Sequence, residues 1–131
     1  FLCEPAYVAM MAEPSVQEVF RLYGQVNVVI HGIGTAQEMA EKRGSSEDET
    51  ALLREKGAVA EAFGYYFNEE GEIVHQLHTI CIQPEHVKNS DHVIAIAGGA
   101  HKAKAIKAYL KCAAKQTILI IDEEAAKAML L

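Results

Sequence analysis

Three short apolar runs divide the chain and set its expected plan. They lie at 26–30 (Val-Asn-Val-Val-Ile), 93–97 (Val-Ile-Ala-Ile-Ala) and 117–121 (Thr-Ile-Leu-Ile-Ile). Runs of this length are typical of buried parallel strands. Helical spacing recurs between and after them, as at Ala103, Ile106 and Leu110. This alternation predicts a three-layer α/β fold, in which helices cover both faces of a mainly parallel sheet.

The segment 57–76 has a different pattern. Residues 57–67 are rich in aromatic and small apolar side chains and predict one strand. The turn sequence Asn68-Glu69-Glu70-Gly71 then returns the chain into a second strand at 72–76. We expect this antiparallel hairpin, 58–76, at an edge of the sheet or as a flap. A further short strand is predicted at 79–82.

Glu61 is the one carboxylate in the apolar stretch 57–67. An isolated buried carboxylate costs several kcal/mol. Glu61 should therefore either face solvent or have a polar partner, and its apolar surroundings favour a polar site.

Two of the apolar runs lead into a glycine turn and then a helix. The turn Gly32-Ile33-Gly34 follows the first run, with Thr35 as the expected helix N-cap, and Gly98-Gly99-Ala100 follows the second. In parallel α/β sheets, ligands bind beyond the carboxyl ends of the strands. A single Gly-x-Gly turn is weak evidence for a ligand, but its repetition makes both turns candidate binding elements.

The second glycine turn also carries an unusual charge pattern. His101, Lys102 and Lys104 crowd the start of the following helix, and no carboxylate follows until Asp122. Cations are disfavoured at a helix N-terminus, whereas anions are bound there. The turn is therefore a candidate anion site, with phosphate as the expected anion.

The basic residues also have structural explanations. Lysines at 104, 107 and 111 fit a solvated helix face, from which Lys102 departs. Lys42 and Arg43 stand at the C-terminal end of a predicted helix at 36–42, before Gly44. The helix dipole favours cations at that end, and glycine is a common C-terminal cap. The same two side chains could reach a phosphate.

Composition narrows the functional classes. A chain of 131 residues with 50% apolar content suits one core. Its net charge of −6 argues against nucleic-acid binding by its own surface. The cysteines at 3, 81 and 112 lack metal-ligand spacing, so we expect reduced thiols in a cytoplasmic protein, with no metal or cofactor. No run reaches the ~18 residues of a membrane span, so no membrane partner is expected.

Four motifs occur in order along the chain. They are Gly32-Ile33-Gly34; Ala58-Val59-Ala60-Glu61 before an aromatic hairpin; Ala97-Gly98-Gly99 with Lys102 and Ala105-Ile106; and Leu119-Ile120-Ile121-Asp122-Glu123 with Ala125-Ala126. Together they resemble the effector-binding domain of the SorC-type bacterial transcription regulators. The resemblance extends from about residue 14 to residue 131.

The resemblance implies a fold and partners that spacing alone does not give. The family domain is Rossmann-like and is similar to glucosamine-6-phosphate deaminases and ribose-5-phosphate isomerases. It binds a phosphorylated sugar as effector and mediates homo-oligomerisation, as a dimer or tetramer. In the family, an N-terminal helix-turn-helix domain binds operator DNA. Residues 1–131 are thus expected to be the C-terminal part of the effector domain, without that DNA-binding domain and without the first strand and phosphate loop.

The resemblance also implies roles for single residues. Glu61 would accept hydrogen bonds from sugar hydroxyls, and Lys102 would hold a phosphate. Lys42 or Arg43 would also reach the ligand. The expected site is completed by the glycine-turn residues Gly32, Gly34, Gly98, Gly99 and Ala100. Details at 63–67 and 98–106 favour family members that repress glycolytic genes in response to fructose-1,6-bisphosphate.

Two other functions remain as alternatives. An isomerase or deaminase of the same fold would need a positioned acid or base. Glu61 could serve, but no Asp, His and Glu constellation accompanies the glycine turns, so no catalytic residue is expected. The chain could also be mainly an oligomerisation core. The motifs favour a phosphosugar sensor.

Overall fold

The structure, a computed structural model, describes residues 3–131. In that range the chain forms seven α-helices, seven strands and one 3₁₀ turn. In chain order these are α1 (Glu4–Ala12), α2 (Pro14–Tyr23), β1 (Val28–Gly32), β2 (Gly34–Thr35), α3 (Ala36–Arg43), α4 (Glu47–Glu55), β3 (Ala58–Ala62), β4 (Tyr65–Asn68), β5 (Ile73–Gln76), α5 (Pro84–Asn89), β6 (His92–Ala97), the 3₁₀ turn (Ala100–Lys102), α6 (Ala103–Cys112), β7 (Thr117–Ile121) and α7 (Glu123–Leu130). None of these helices is long and apolar enough to cross a membrane.

The three apolar runs form a parallel sheet in the order β1-β6-β7. Val93, in the central strand, is level with Val29 on one side and Thr117 on the other. The predicted strands are therefore confirmed, although β1 begins two residues later than expected. The parallel strands and intervening helices confirm the mixed α/β fold.

The two faces of this parallel sheet have different surroundings. One face is buried through Val29, Val93, Ala95 and Ala97. The opposite face leaves five large side chains exposed, namely Val28, Ile30, Ile96, Ile118 and Ile120. Ile30 retains 64% of its accessible surface. Helices are expected on both faces, but residues 3–131 leave this apolar sheet face open. Such a face is typical of an interaction surface.

The hairpin belongs to a second, antiparallel sheet with the order β2-β3-β4-β5. The predicted single strand at 57–67 is two strands, because Phe63 and Gly64 both adopt positive φ, of 58° and 81°. Ala62 and Tyr65 pair across this two-residue turn, which is typical of a tight hairpin. The segment 58–76 thus contains three antiparallel strands instead of the predicted two, and it is not an added edge of the parallel sheet.

The strand predicted at 79–82 is wrong. The Thr79 N–H donates to the Leu77 carbonyl at 3.0 Å, so the chain folds back locally instead of extending. The Cys81 thiol donates to the carbonyl of Phe63 at 2.9 Å. These contacts hold the segment against the tight hairpin turn.

The antiparallel sheet separates two groups of core contacts. Toward α6, one cluster joins side chains of both sheets, including Ala62, Phe67, Ala95 and Ile106. On the other side, the fully buried Tyr66 packs with α3 and α4. In β3, Ala60 and Ala62 face α6. Because strand side chains alternate between faces, Glu61, which lies between them, points toward α3. This alternation places Glu61 in the site described below.

The hairpin turn at Gly71 is expected to be intolerant of any side chain. Gly71 has φ +80°, and an added Cβ would lie 2.9 Å from the Lys111 Cβ and 3.0 Å from the Ala108 carbonyl oxygen. Gly57 is a matched control, with φ +68° and no atom within 4 Å of its added Cβ. We expect Gly71→Ala to lower the free energy of unfolding by about 3 kcal/mol, and Gly57→Ala by about 1 kcal/mol.

Urea denaturation of both variants measures this difference. Equal losses would show that backbone strain alone acts at Gly71 and that α6 does not constrain the turn.

Candidate functional site

The two glycine turns lie at the same edge of the molecule. They follow β1 and β6, which are adjacent parallel strands, and the Ile33 N–H donates to the Ile96 carbonyl at 3.3 Å. The chain then enters β2, where Gly34 pairs with Glu61. The carboxyl edge of the parallel sheet therefore meets the middle of β3.

Glu61 is buried and has polar partners. Its residue exposure is 4%. Its Oε1 accepts hydrogen bonds from Arg43 Nη2 at 2.8 Å and from the Gly64 N–H at 2.7 Å. Its Oε2 accepts none from residues 3–131. Oε1 thus links β3 to α3 and to the hairpin turn, whereas Oε2 is left to accept from a further donor.

Arg43 is fixed from two sides at the end of α3. Besides Glu61, its Nη1 donates to the Tyr66 hydroxyl at 3.0 Å, and its guanidinium carbon lies 5.8 Å from the centre of the Tyr66 ring. Burial alone would lower the pKa of Arg43, but hydrogen bonding and charge attraction from Glu61 outweigh it and raise the pKa. Arg43 therefore keeps its positive charge in this half-buried position. Tyr66 and Glu61 are directly paired across β3 and β4.

A cavity of about 330 Å³ opens beside this ion pair. It is lined by His31, Gly32, Arg43, Glu61, Ala62, Phe63, Gly64, Thr79 and Cys81. Its volume is at the small end of the range of roughly 300–1,000 Å³ that is usual for small-molecule sites. A lining that combines charged, polar and aromatic residues suits a small polyhydroxylated ligand.

Phe63 is held in a conformation that side chains rarely adopt. Its φ of 58° is the left-handed region, which costs a non-glycine residue about 1–2 kcal/mol. Three hydrogen bonds fix the turn: Gly64 N–H to Glu61, Leu77 N–H to the Gly64 carbonyl at 2.9 Å, and the Cys81 thiol to the Phe63 carbonyl. The half-buried ring of Phe63 lies 4.4 Å from the ring of His31, centre to centre.

His31 is half-buried and adds a polar contact to the same wall. Its Nδ1 lies 2.9 Å from the Gly32 carbonyl oxygen and its Nε2 lies 2.9 Å from the Tyr109 hydroxyl. Because a carbonyl only accepts, Nδ1 carries the proton and Nε2 accepts from the hydroxyl. Burial lowers the pKa of His31 despite the opposing hydrogen bond to Gly32. Burial likewise raises the pKa of Tyr109, so both side chains are neutral.

A carboxylate occupies the second glycine turn. Asp122 Oδ2 accepts from the Gly99 N–H at 2.8 Å, and Oδ1 accepts from the Ala125 N–H at 2.8 Å, which confirms Asp122 as the cap of α7. An added Cβ at Gly98 would lie 2.9 Å from Asp122 Oδ2, so glycine is needed for this approach. The Gly99 amide, expected to face an anion, already has an anionic partner.

The cations of this turn are distributed differently from the sequence pattern. His101 Nε2 lies 3.0 Å from Glu38 Oε1, and Lys104 Nζ lies 2.6 Å from Glu69 Oε1. Lys102 is half-buried and forms no ion pair within residues 3–131. Of the three cations, Lys102 is therefore the one left for an incoming anion.

The structure groups the residues chosen from sequence into two neighbouring sets. Gly32, Arg43 and Glu61 line the cavity, and Gly34 is the strand partner of Glu61. A second set, comprising Gly98, Gly99, Ala100 and Lys102, lies at the end of the adjacent strand and does not line that cavity. Lys42 is exposed and also lies outside the lining.

Sequence reasoning missed several side chains of this site, namely His31, Phe63, Tyr66, Thr79 and Cys81. Tyr66 could have been found from strand alternation, had the turn at Phe63 and Gly64 been recognised. Thr79 and Cys81 left no such signal, because an irregular segment brings them to the site.

Comparison with known proteins identifies the family. A family model of sugar-binding domains, Sugar-bind, matches residues 1–131. The crystal structure of a SorC family transcriptional regulator from Enterococcus faecalis superposes with a TM-score of 0.90 at 48% identity, covering 99% of this chain and 53% of that one. The chain therefore belongs to the sugar-binding domain family of the SorC-type transcription regulators.

Two curated relatives define the subgroup that the chain resembles. The chain is 46% identical over 126 residues to the central glycolytic genes regulator of Priestia megaterium, a match covering 96% of this chain and 36% of that protein. It is 41% identical over 129 residues to the protein of the same name from Bacillus subtilis, covering 98% and 38%. The resemblance to this glycolytic regulator is thus confirmed. The chain spans well under half the length of these relatives, which are regulators and not enzymes.

Loss of Arg43 is expected to destabilise the fold because Glu61 would stay buried without its charged partner. We expect Arg43→Met to lower the free energy of unfolding by about 3 kcal/mol. The adjacent exposed Lys42→Met, which removes the same charge, should change it by less than about 0.5 kcal/mol. Adding Glu61→Gln to Arg43→Met should recover part of the loss. Denaturant unfolding of the three variants tests this, and similar losses in the first two would contradict a buried pair.

The contribution of His31 to stability is expected to depend on pH. Its pKa is lowered from 6.5 in the folded chain, so below that pH the unfolded chain binds a proton that the folded chain resists. The stability it provides is present above pH 6.5 and is lost as pH falls from there through its folded pKa. The difference in unfolding free energy between the unmodified protein and His31→Gln should therefore narrow between about pH 7.5 and pH 5.

Burial also lowers the pKa of His75. A His75→Gln variant therefore gives a second comparison, in which the stability difference should narrow with falling pH in the same direction. A stability difference that stays constant with pH would show that His31 does not titrate differently on folding.

Proposed function

We propose that this chain is the C-terminal part of the effector-binding domain of a bacterial repressor of glycolytic genes, and that it binds a phosphorylated sugar. The favoured effector is fructose-1,6-bisphosphate. The observation that carries the proposal is the Glu61 carboxylate, buried in a cavity wall with one oxygen left for a donor. The setting, at the carboxyl edge of a parallel sheet, is where ligands of such folds bind.

Each part of the ligand has a chemical counterpart at this edge. Glu61 Oε2 accepts from a sugar hydroxyl, a bond that a fixed carboxylate makes with little loss of freedom. Lys102, which lacks a carboxylate partner among the described residues, binds a phosphate as a point charge. Arg43 holds Glu61 in place and lines the cavity. The glycine turns allow the ligand to approach the backbone.

The open face of the parallel sheet supports the assignment to part of a larger domain. Its large exposed side chains include Ile30, Ile96 and Ile118. The matching Enterococcus faecalis chain is nearly twice as long, since this chain covers 53% of it. We assign the remaining part of the effector domain to this face.

The regulatory mechanism follows from ligand-dependent assembly. A sugar that binds one arrangement of the oligomer more tightly shifts the population toward it. The DNA-binding domain outside this chain then meets operator DNA with altered affinity, in the cytoplasm. An enzyme of the same fold is disfavoured because the curated relatives are named as regulators.

Calorimetric titration of the intact protein with fructose-1,6-bisphosphate tests the proposal. Saturable binding is expected, weakened about tenfold or more by Glu61→Gln and by Lys102→Ala, since each removes a charge-assisted contact. Lys107→Ala is the matched control because it removes the same charge from an exposed position on α6, and it should bind normally.

Absence of binding by the folded protein would remove this effector from the assignment. Conversion of fructose-6-phosphate or ribose-5-phosphate at an enzymatic rate would replace the sensor with the enzyme.

A further inference from the structure

We infer that Phe63 forms the apolar platform of the ligand site, and that its ring packs against the C–H face of the sugar whose hydroxyl binds Glu61. This inference rests on the proposed function and adds the residue that distinguishes a sugar phosphate from phosphate alone. The observation that carries it is that Glu61 and Phe63 line the same cavity.

The position of the ring suits this role. Phe63 is two residues after Glu61 and lines the same cavity, so both residues are within reach of one molecule bound there. A sugar presents hydroxyls at its rim and C–H groups on its faces. Small-molecule sites commonly combine an aromatic surface with a few fixed polar groups for such ligands. The ring of His31, which also lines the cavity, packs against Phe63 with the ring centres 4.4 Å apart.

The backbone conformation of Phe63 indicates that its side chain has a role other than forming the turn. Two-residue hairpin turns with positive φ at both positions favour Asn-Gly, and glycine already occupies the second position. Phenylalanine is poorly suited to φ of 58°. Such conformations persist where the surroundings fix them, and they are concentrated at binding sites. Here Glu61, Leu77 and Cys81 supply the fixing contacts.

A packing role alone is the competing explanation, and the structure offers a control for it. Phe63 also borders an apolar cavity of about 220 Å³ on its other side, together with Phe67 and Tyr109. Phe67 is buried and lines that cavity, but it does not line the cavity of Glu61. Phe67→Leu therefore removes an aromatic ring from the core without touching the proposed ligand.

Titration calorimetry of the intact protein separates the two roles. Fructose-1,6-bisphosphate and inorganic phosphate are the probes, and Phe63→Leu, Phe63→Asn, Phe63→Tyr and Phe67→Leu are the variants. We expect Phe63→Leu and Phe63→Asn to weaken binding of the sugar bisphosphate about tenfold, with no change for inorganic phosphate. Phe63→Tyr should retain the affinity, and Phe67→Leu should retain it while lowering the midpoint of thermal unfolding.

Each outcome has a distinct meaning. Phe63→Asn suits the positive φ, so it keeps the test valid if Phe63→Leu fails to fold. Sugar bisphosphate binding that is unchanged in Phe63→Asn overturns the platform and leaves the proposed function intact. Equal weakening by Phe63→Leu and Phe67→Leu also overturns it, because packing then accounts for the loss. No binding by the unmodified protein overturns both proposals.

Discussion

The buried ion pair between Arg43 and Glu61 is the interaction on which the candidate site depends. It joins the end of α3 to the middle of β3, and through Gly64 it also fixes the hairpin turn. A buried charge is tolerated only with a partner, so each residue makes the other necessary. Tyr66 adds a second constraint, because moving Arg43 away from Glu61 would also break its hydrogen bond to the Tyr66 hydroxyl. The ion pair therefore connects α3, β3 and the hairpin turn, and fixes the geometry of the cavity wall that they form.

Strand alternation in β3 separates the apolar core from the candidate site. In β3 the alanines on either side of Glu61 face α6 and complete the core that connects the two sheets, while Glu61 faces α3. The small side chains let the helix approach closely, and the intervening carboxylate is buried at the site and not in the apolar core. The apolar core and the candidate site are therefore formed by opposite faces of the same five residues.

The parallel sheet could be predicted because its signal is local. The runs at 93–97 and 117–121 became strands at the expected places, and Thr35 and Asp122 cap their helices as expected. The site was only half predictable. Glu61 is conspicuous as a carboxylate in an apolar stretch, but its partner is 18 residues away in the chain, and the turn at Phe63 uses a residue that turn preferences disfavour. The engagement of the Gly99 amide depends on a contact between distant segments that no local pattern contains.

The single carboxylate of Asp122 links the second glycine turn to α7. One of its oxygens holds the Gly99 amide and the other holds the Ala125 amide. An anion bound at Gly99 would compete with Asp122 for the same N–H group. Displacement of the side chain would then also release the first turn of α7. The last helix of the chain is in this way mechanically connected to the state of the glycine turn, and its start would report whether the turn is occupied.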